Sequence, residues 1–264
     1  MTIFRFTLRR HLRAAIIWGL MIAAVFFAMA NGIFPYYRES TDMFRKVLAA
    51  FPKGFGAAFG IDIGILFSFG GFYNFIFTYV GLMGACFALW LGISIFSEEK
   101  RNKCSEFLYV RPITRGSIFG WKLASGLAGI VVQFVFFIIA NILTAFNFIN
   151  EKDVTVGRLV LASLALLLME IVFYAVGVLV GTVLRRVRSC GGTATLLTMA
   201  CFILNAVVNL LDKEILRYLS ILKYFEPYEI FSTGHFPVRY MAAGLIVTVV
   251  CLAISFRAAG RDVE

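Results

Sequence analysis

Apolar residues fall along this chain in six long, nearly uninterrupted blocks, at residues 14–34, 72–96, 122–148, 159–184, 193–211 and 238–256. A helix needs about 20 consecutive apolar residues to cross the ~30 Å hydrocarbon layer of a bilayer. The blocks 14–34 and 193–211 contain no Asp, Glu, Lys or Arg. Lipid offers no partner to a bare backbone N–H or C=O, so each block is predicted to be helical. A membrane barrel would alternate apolar and polar positions, and these blocks do not. The expected fold is an all-α integral membrane protein, with six transmembrane helices in a single transmembrane domain over residues 1–264.

Composition agrees with the pattern. Of the 264 residues, 61% are hydrophobic and only 15% charged, and the mean hydropathy is +0.87. A soluble domain of this length would need a far more charged surface. Arg5, Arg9, Arg10 and Arg13 precede the first block, as in a secretory signal. The block is too long for that, however, and no small-residue cleavage site clearly follows, so it is expected to be a retained span. The five cysteines form no C-x-x-C pair, which points to neither a disulfide framework nor a metal site.

Charge gives the orientation. With both termini cytoplasmic, the inner pieces hold Arg5, Arg9, Arg10, Arg13, Lys100, Arg101, Lys103, Arg111, Arg115, Lys122, Arg185, Arg186, Arg188, Arg257 and Arg261. They hold only Glu98, Glu99, Glu106, Asp262 and Glu264 against them. The outer pieces hold the other ten Lys and Arg, and the larger share marks the cytoplasmic side. The overall charge of +10 is then explained by a membrane surface, and no nucleic-acid partner is expected.

Outside the spans, residues 1–13 place Phe4, Leu8 and Leu12 on one stripe and Arg5, Arg9 and Arg13 on its neighbour. This suits a helix lying in the cytoplasmic interface, or a basic flank that only sets topology. Two outer loops, 35–71 and 212–237, carry semi-apolar stretches, and the second reads as a short helix dipping into the outer leaflet. No P-loop, H-E-x-x-H or G-x-S-x-G occurs, so catalysis by this chain alone is not expected.

The second cytoplasmic loop is the most informative segment. Residues 98–110 read as a short helix leaving the second span, with Glu99 and Lys103 spaced to pair. Pro112 stops that helix and biases Arg111 away from helical geometry. Thr114 is placed to cap the third span. Phe107 and Leu108 are apolar residues on a charged loop, suited either to a partner's groove or to packing back on the bundle.

Glu99, then Glu106-Phe107-Leu108-Tyr-Val-Arg111-Pro112-Ile-Thr114-Arg115, then Lys122 resembles the signature of ABC-2-type transporter permeases. Cys104-Ser105 stands where that family often has Gly-Thr. The stretch Phe225-Glu-Pro227-Tyr resembles the family's aromatic-proline motif. The resemblance implies that elbow 98–115 is a coupling helix seated on a separate nucleotide-binding ATPase. ATP and magnesium would belong to that partner, with no cofactor in this chain. It further implies a second copy of the permease or a paralogue, a lipid bilayer around both, and the cytoplasmic membrane of a prokaryote. The implied function is ATP-driven export of an amphipathic or lipophilic cargo, with a peptide favoured.

Within the spans, Glu170 stands near mid-membrane, where a charge costs about 3 kcal/mol or more. It is a candidate for the translocation path, together with Asn141, Asn205 and Asn209. The alternative is a structural hydrogen bond between helices, to Asn141, Asn205 or Gln133. Gly177 and Gly181 are spaced for close helix packing. Two other functions fit these residues: an ion-coupled carrier or channel using Glu170, and a non-transporting membrane anchor or sensor.

Overall fold

The computed structural model describes residues 2–39, 56, 65–102, 114–148, 155–184, 187–211 and 214–261. Every regular element among them is a helix. Helix α1 (Thr2–Ala28) passes through a π turn (Met29–Ile33) into α2 (Phe34–Glu39). Then follow α3 (Phe69–Asn102), α4 (Arg115–Asn147), α5 (Val156–Val183) and α6 (Cys190–Leu211). The short α7 (Glu214–Arg217), a 3-10 turn (Ile221–Lys223) and α8 (Pro227–Thr233) lead to α9 (Val238–Arg261). Six helices are long and apolar enough to cross a membrane: Ile3–Tyr36, Phe69–Glu98, Gly116–Asn147, Val156–Val183, Cys190–Leu211 and Val238–Ala259. They match the six predicted blocks, and most are extended at one or both ends by residues too polar to register as apolar runs.

Segment 1–13 is helical, and α1 continues unbroken from it through Arg13 into the first span. Arg5, Arg9 and Arg13 are exposed, as their stripe predicts, yet the most buried stripe is Thr7, His11 and Ala15, beside the expected Phe4, Leu8 and Leu12. The reason is local: His11 Nδ1 pairs with the Thr7 carbonyl (3.0 Å) and Nε2 with Ser94 Oγ (3.3 Å). That bond rotates the polar stripe toward α3. The semi-apolar stretches of the first outer loop lie mostly outside the described residues.

Helices α3 and α5 form the centre of the bundle and pack along one another. Helix α1 lies against α4, α9 against α5 and α6 against α3. Glycines bring the central pair close. A Cβ on Gly92 would lie 2.7 Å from Val178 N, one on Gly177 2.7 Å from Leu89 O, and one on Gly181 3.1 Å from Ile93 O. Gly177 and Gly181 therefore serve packing, with Gly92 as their counterpart on α3. The outer helices leave large apolar side chains uncovered, including Leu196 and Ile203 on α6 and Leu245 and Ile246 on α9. That surface suits lipid and not water.

An aromatic cluster closes the end of the bundle opposite the chain termini. Phe34 meets Phe69, Phe72 and Phe148 at centroid distances of 5.0–5.6 Å, and Phe231 of α8 meets Tyr73 at 5.1 Å. Residues 214–237 thus carry short helical elements, as the spacing predicts, and α8 packs on α3.

Candidate functional site

Two places in the bundle gather the residues singled out by the sequence. The first is the pair of helix ends that flank the loop between the second and third spans. Helix α3 carries Glu99 on its last turn and ends at Asn102. Helix α4 begins at Arg115, with Thr114 in extended backbone (φ −65°, ψ 138°) at the cap position. The Thr114 carbonyl accepts from Ser117 N (2.9 Å) and Ile118 N (3.2 Å). Its hydroxyl makes no capping bond, so the helix starts where predicted without the side-chain cap. Glu106, Phe107, Leu108, Arg111 and Pro112 lie outside the described residues. Lys122 is buried, with its ammonium 5.7 Å from the Phe96 ring centroid, a cation–π contact that ties α4 to the end of α3.

The same end holds contacts that the sequence reading did not identify. Arg10 pairs with Glu98, the Trp90 ring meets His11 at 5.9 Å, and Phe119 links Phe96 (5.1 Å) to Phe256 (5.5 Å). The amino-terminal helix, both ends of the loop and the last span are therefore fastened together. Only the basic stripe hinted at this, since an ion pair 88 residues apart leaves no local pattern.

The second place is the membrane interior. Glu170 lies near the centre of α5 and is fully buried. Gln133 of α4 is also fully buried and is the polar side chain facing it. The carboxyl lies against Gly84 of α3, where any Cβ would collide with Glu170 Oε1. The two groups face each other without forming a hydrogen bond of normal geometry. The asparagines do not join them. Asn141 accepts from Tyr73 O–H (2.8 Å) and donates to the Phe137 carbonyl (3.0 Å). Asn205 accepts from Ser220 O–H (2.9 Å), and Asn209 is half-buried elsewhere on α6. Asn147 donates to Asn31 Oδ1 (2.7 Å), and Asn31 donates to Thr144 Oγ1 (3.0 Å), at the π turn. These amides bond helix to helix or helix to loop, and Glu170 with Gln133 remains as a separate polar pair.

Between α6 and α9, Arg217 pairs with Glu229 (2.5 Å) and Glu226 (3.3 Å) and stacks 4.2 Å from the Tyr240 ring centroid. Burial works against its charge, but Glu226 and Glu229 outweigh burial and hold its pKa above the usual arginine range.

A six-span helical bundle whose outer helices present an apolar surface suited to lipid defines a multi-pass membrane protein. A family model described as "ABC-2 family transporter protein" matches residues 1–261, and the chain belongs to that family. At the family level it is an ABC transporter permease, the membrane-spanning partner of an ABC ATPase. The chain matches no curated protein and no solved structure.

Proposed function

We propose that this permease subunit exports an amphipathic or lipophilic cargo, with a peptide favoured, and that a separate ATPase docked on elbow 98–115 energises it. The carrying observation is the family match over residues 1–261, which includes the whole elbow. The anchoring of both loop ends supports the same reading. A push on the elbow reaches α3 and α4 through Lys122–Phe96, and reaches α1 through Arg10–Glu98. Coupling requires that the ATPase contact the two states of the bundle unequally. Six spans enclose little space, so two copies, or one copy and a paralogue, work together. The 29 phenylalanines favour a cargo taken from the lipid side over a small hydrophilic one.

Co-purification from native membranes tests this reading. The expected result is a stoichiometric ATPase chain that is lost with Phe107→Asp, and cargo-stimulated ATP hydrolysis that falls at least about tenfold with Glu106→Ala. Absence of any ATPase, with activity intact in Glu106→Ala, would overturn it.

A further inference from the structure

Among the described residues, most buried polar side chains of the bundle have a hydrogen-bond partner. Thr144, Ser163, Thr182, Thr198 and Ser255 each donate to the carbonyl one turn earlier, and Asn141 is bonded to Tyr73. Among the described residues, five buried side-chain nitrogen and oxygen atoms lack a hydrogen-bond partner. Four of these are both oxygens of Glu170 and both polar atoms of Gln133. Unpaired polar groups are costly in a dry interior, yet here they converge from α4 and α5 on one spot. Gly84 of α3 clears the backbone that a larger residue would occupy.

We infer that Glu170 and Gln133 form an intramembrane site for one small cation, a proton or a monovalent metal ion, taken up and released as the bundle moves. The role in a transport cycle rests on the reading proposed above, whereas the binding chemistry does not. One carboxylate balances one positive charge, and the amide carbonyl adds a neutral oxygen acceptor beside it. A proton bonds to a carboxylate oxygen to give the neutral acid, whose O–H can donate to the amide carbonyl. Release returns that proton to water and regenerates the carboxylate. A metal ion would sit between the same oxygens.

Several titratable groups on the neighbouring helices have other partners, and Tyr79 of α3 meets the Phe75 ring at 5.2 Å. On α3, Tyr73 donates to Asn141, and Cys86 Sγ lies 3.8 Å from Thr195 Oγ1. On α4, Lys122 lies over Phe96. Tyr174, one turn along α5, donates to the Leu123 carbonyl (3.2 Å). Glu229 of α8 holds Arg217, which covers Tyr240 of α9. Cys251 of α9 is a buried thiol, and Arg239 and Arg257 lie toward the two ends of that helix.

Infrared difference spectroscopy on the full chain in lipid nanodiscs tests the site without any ATPase. Spectra are taken from about pH 5 to about pH 9, and at fixed pH with Na⁺ or K⁺ added. The expected result is a protonated-carboxyl band, missing in Glu170→Gln, that disappears as pH rises or as the metal ion is added. Loss with pH alone identifies the proton, and loss at fixed pH identifies the metal ion. Gln133→Leu keeps the carboxyl and is expected to move the midpoint by about tenfold in proton or ion concentration, one unit on the pH scale. It also serves as the probe where Glu170→Gln does not fold. A carboxyl signal that responds to neither pH nor cations, or an unchanged midpoint in Gln133→Leu, overturns the inference. If binding persists but no ATPase associates, the exporter reading fails and the site stands.

Discussion

Among single residues, Arg217 and Tyr73 show how much depends on a partner that local sequence cannot reveal. Arg217 holds two carboxylates and one aromatic face while its side chain is only 19% exposed. Removing a largely buried charge leaves Glu226 and Glu229 repelling each other, which costs more than losing an open surface pair. Arg217→Met is expected to lower stability by about 1–2 kcal/mol, read as a fall in the thermal midpoint in detergent. Lys223→Met removes a 3.7 Å pair to Glu226 and is expected to change stability by less than about 0.5 kcal/mol. Tyr73→Phe keeps the ring in the aromatic cluster but strands Asn141 Oδ1, at a cost of about 1 kcal/mol. Glu170 and the asparagines were legible in the sequence because a polar residue is conspicuous in an apolar run. Which partner each takes was not, since the Tyr73–Asn141 bond and the placing of Glu170 against Gln133 depend on how the helices are rotated and staggered.

At the scale of helices, the glycines of α3 and α5 separate packing from mere presence. Gly92 and Gly177 approach the opposing backbone to 2.7 Å at a notional Cβ, so a side chain there must push the two central helices apart. Gly177→Val is expected to destabilise the bundle by about 1–3 kcal/mol or to abolish its accumulation in the membrane. Gly120, on α4, has nothing within 4 Å of its notional Cβ. Gly120→Ala is therefore expected to stabilise by about 0.5–1 kcal/mol through helix propensity alone. Paired measurement of thermal midpoints checks both, and equal effects would refute the packing assignment. The existence of all six spans was legible because 20-residue apolar runs allow one solution in lipid. The helix ends were less so, because α4 starts at Arg115, ahead of the apolar run that opens at Lys122, and a mixed stretch such as Gly116–Trp121 does not by itself set where a span begins. The unbroken passage of α1 through Arg13 was not legible, for a related reason. A basic stripe fits a helix in the interface and a helix emerging from it equally well.

For the whole molecule, orientation decides whether the clamp at the ends of α3 and α4 can do anything at all. The Lys and Arg excess predicts that those ends face the cytoplasm, the compartment that holds ATP. The segment 214–233, with its Arg217 cluster, then faces outward. Membrane-impermeant thiol labelling of intact cells separates the two arrangements. Cys104 lies in the second loop, and Ser232 is exposed on α8. In a background where Cys86, Cys190, Cys201 and Cys251 are replaced, Ser232→Cys is expected to label in intact cells. Cys104 is expected to label only after the membrane is permeabilised. Co-expression of the ATPase should then slow labelling at Cys104, because a subunit seated on the elbow covers it, while Ser232→Cys labels at an unchanged rate. The reverse pattern would put the elbow outside, away from any cytoplasmic ATPase, and would remove the physical basis for coupling through Arg10–Glu98 and Lys122–Phe96. The correct side with no protection at Cys104 would keep the topology and move the ATPase contact to another inner surface, with the exposed Arg5, Arg9 and Arg13 stripe of α1 the next basic face available.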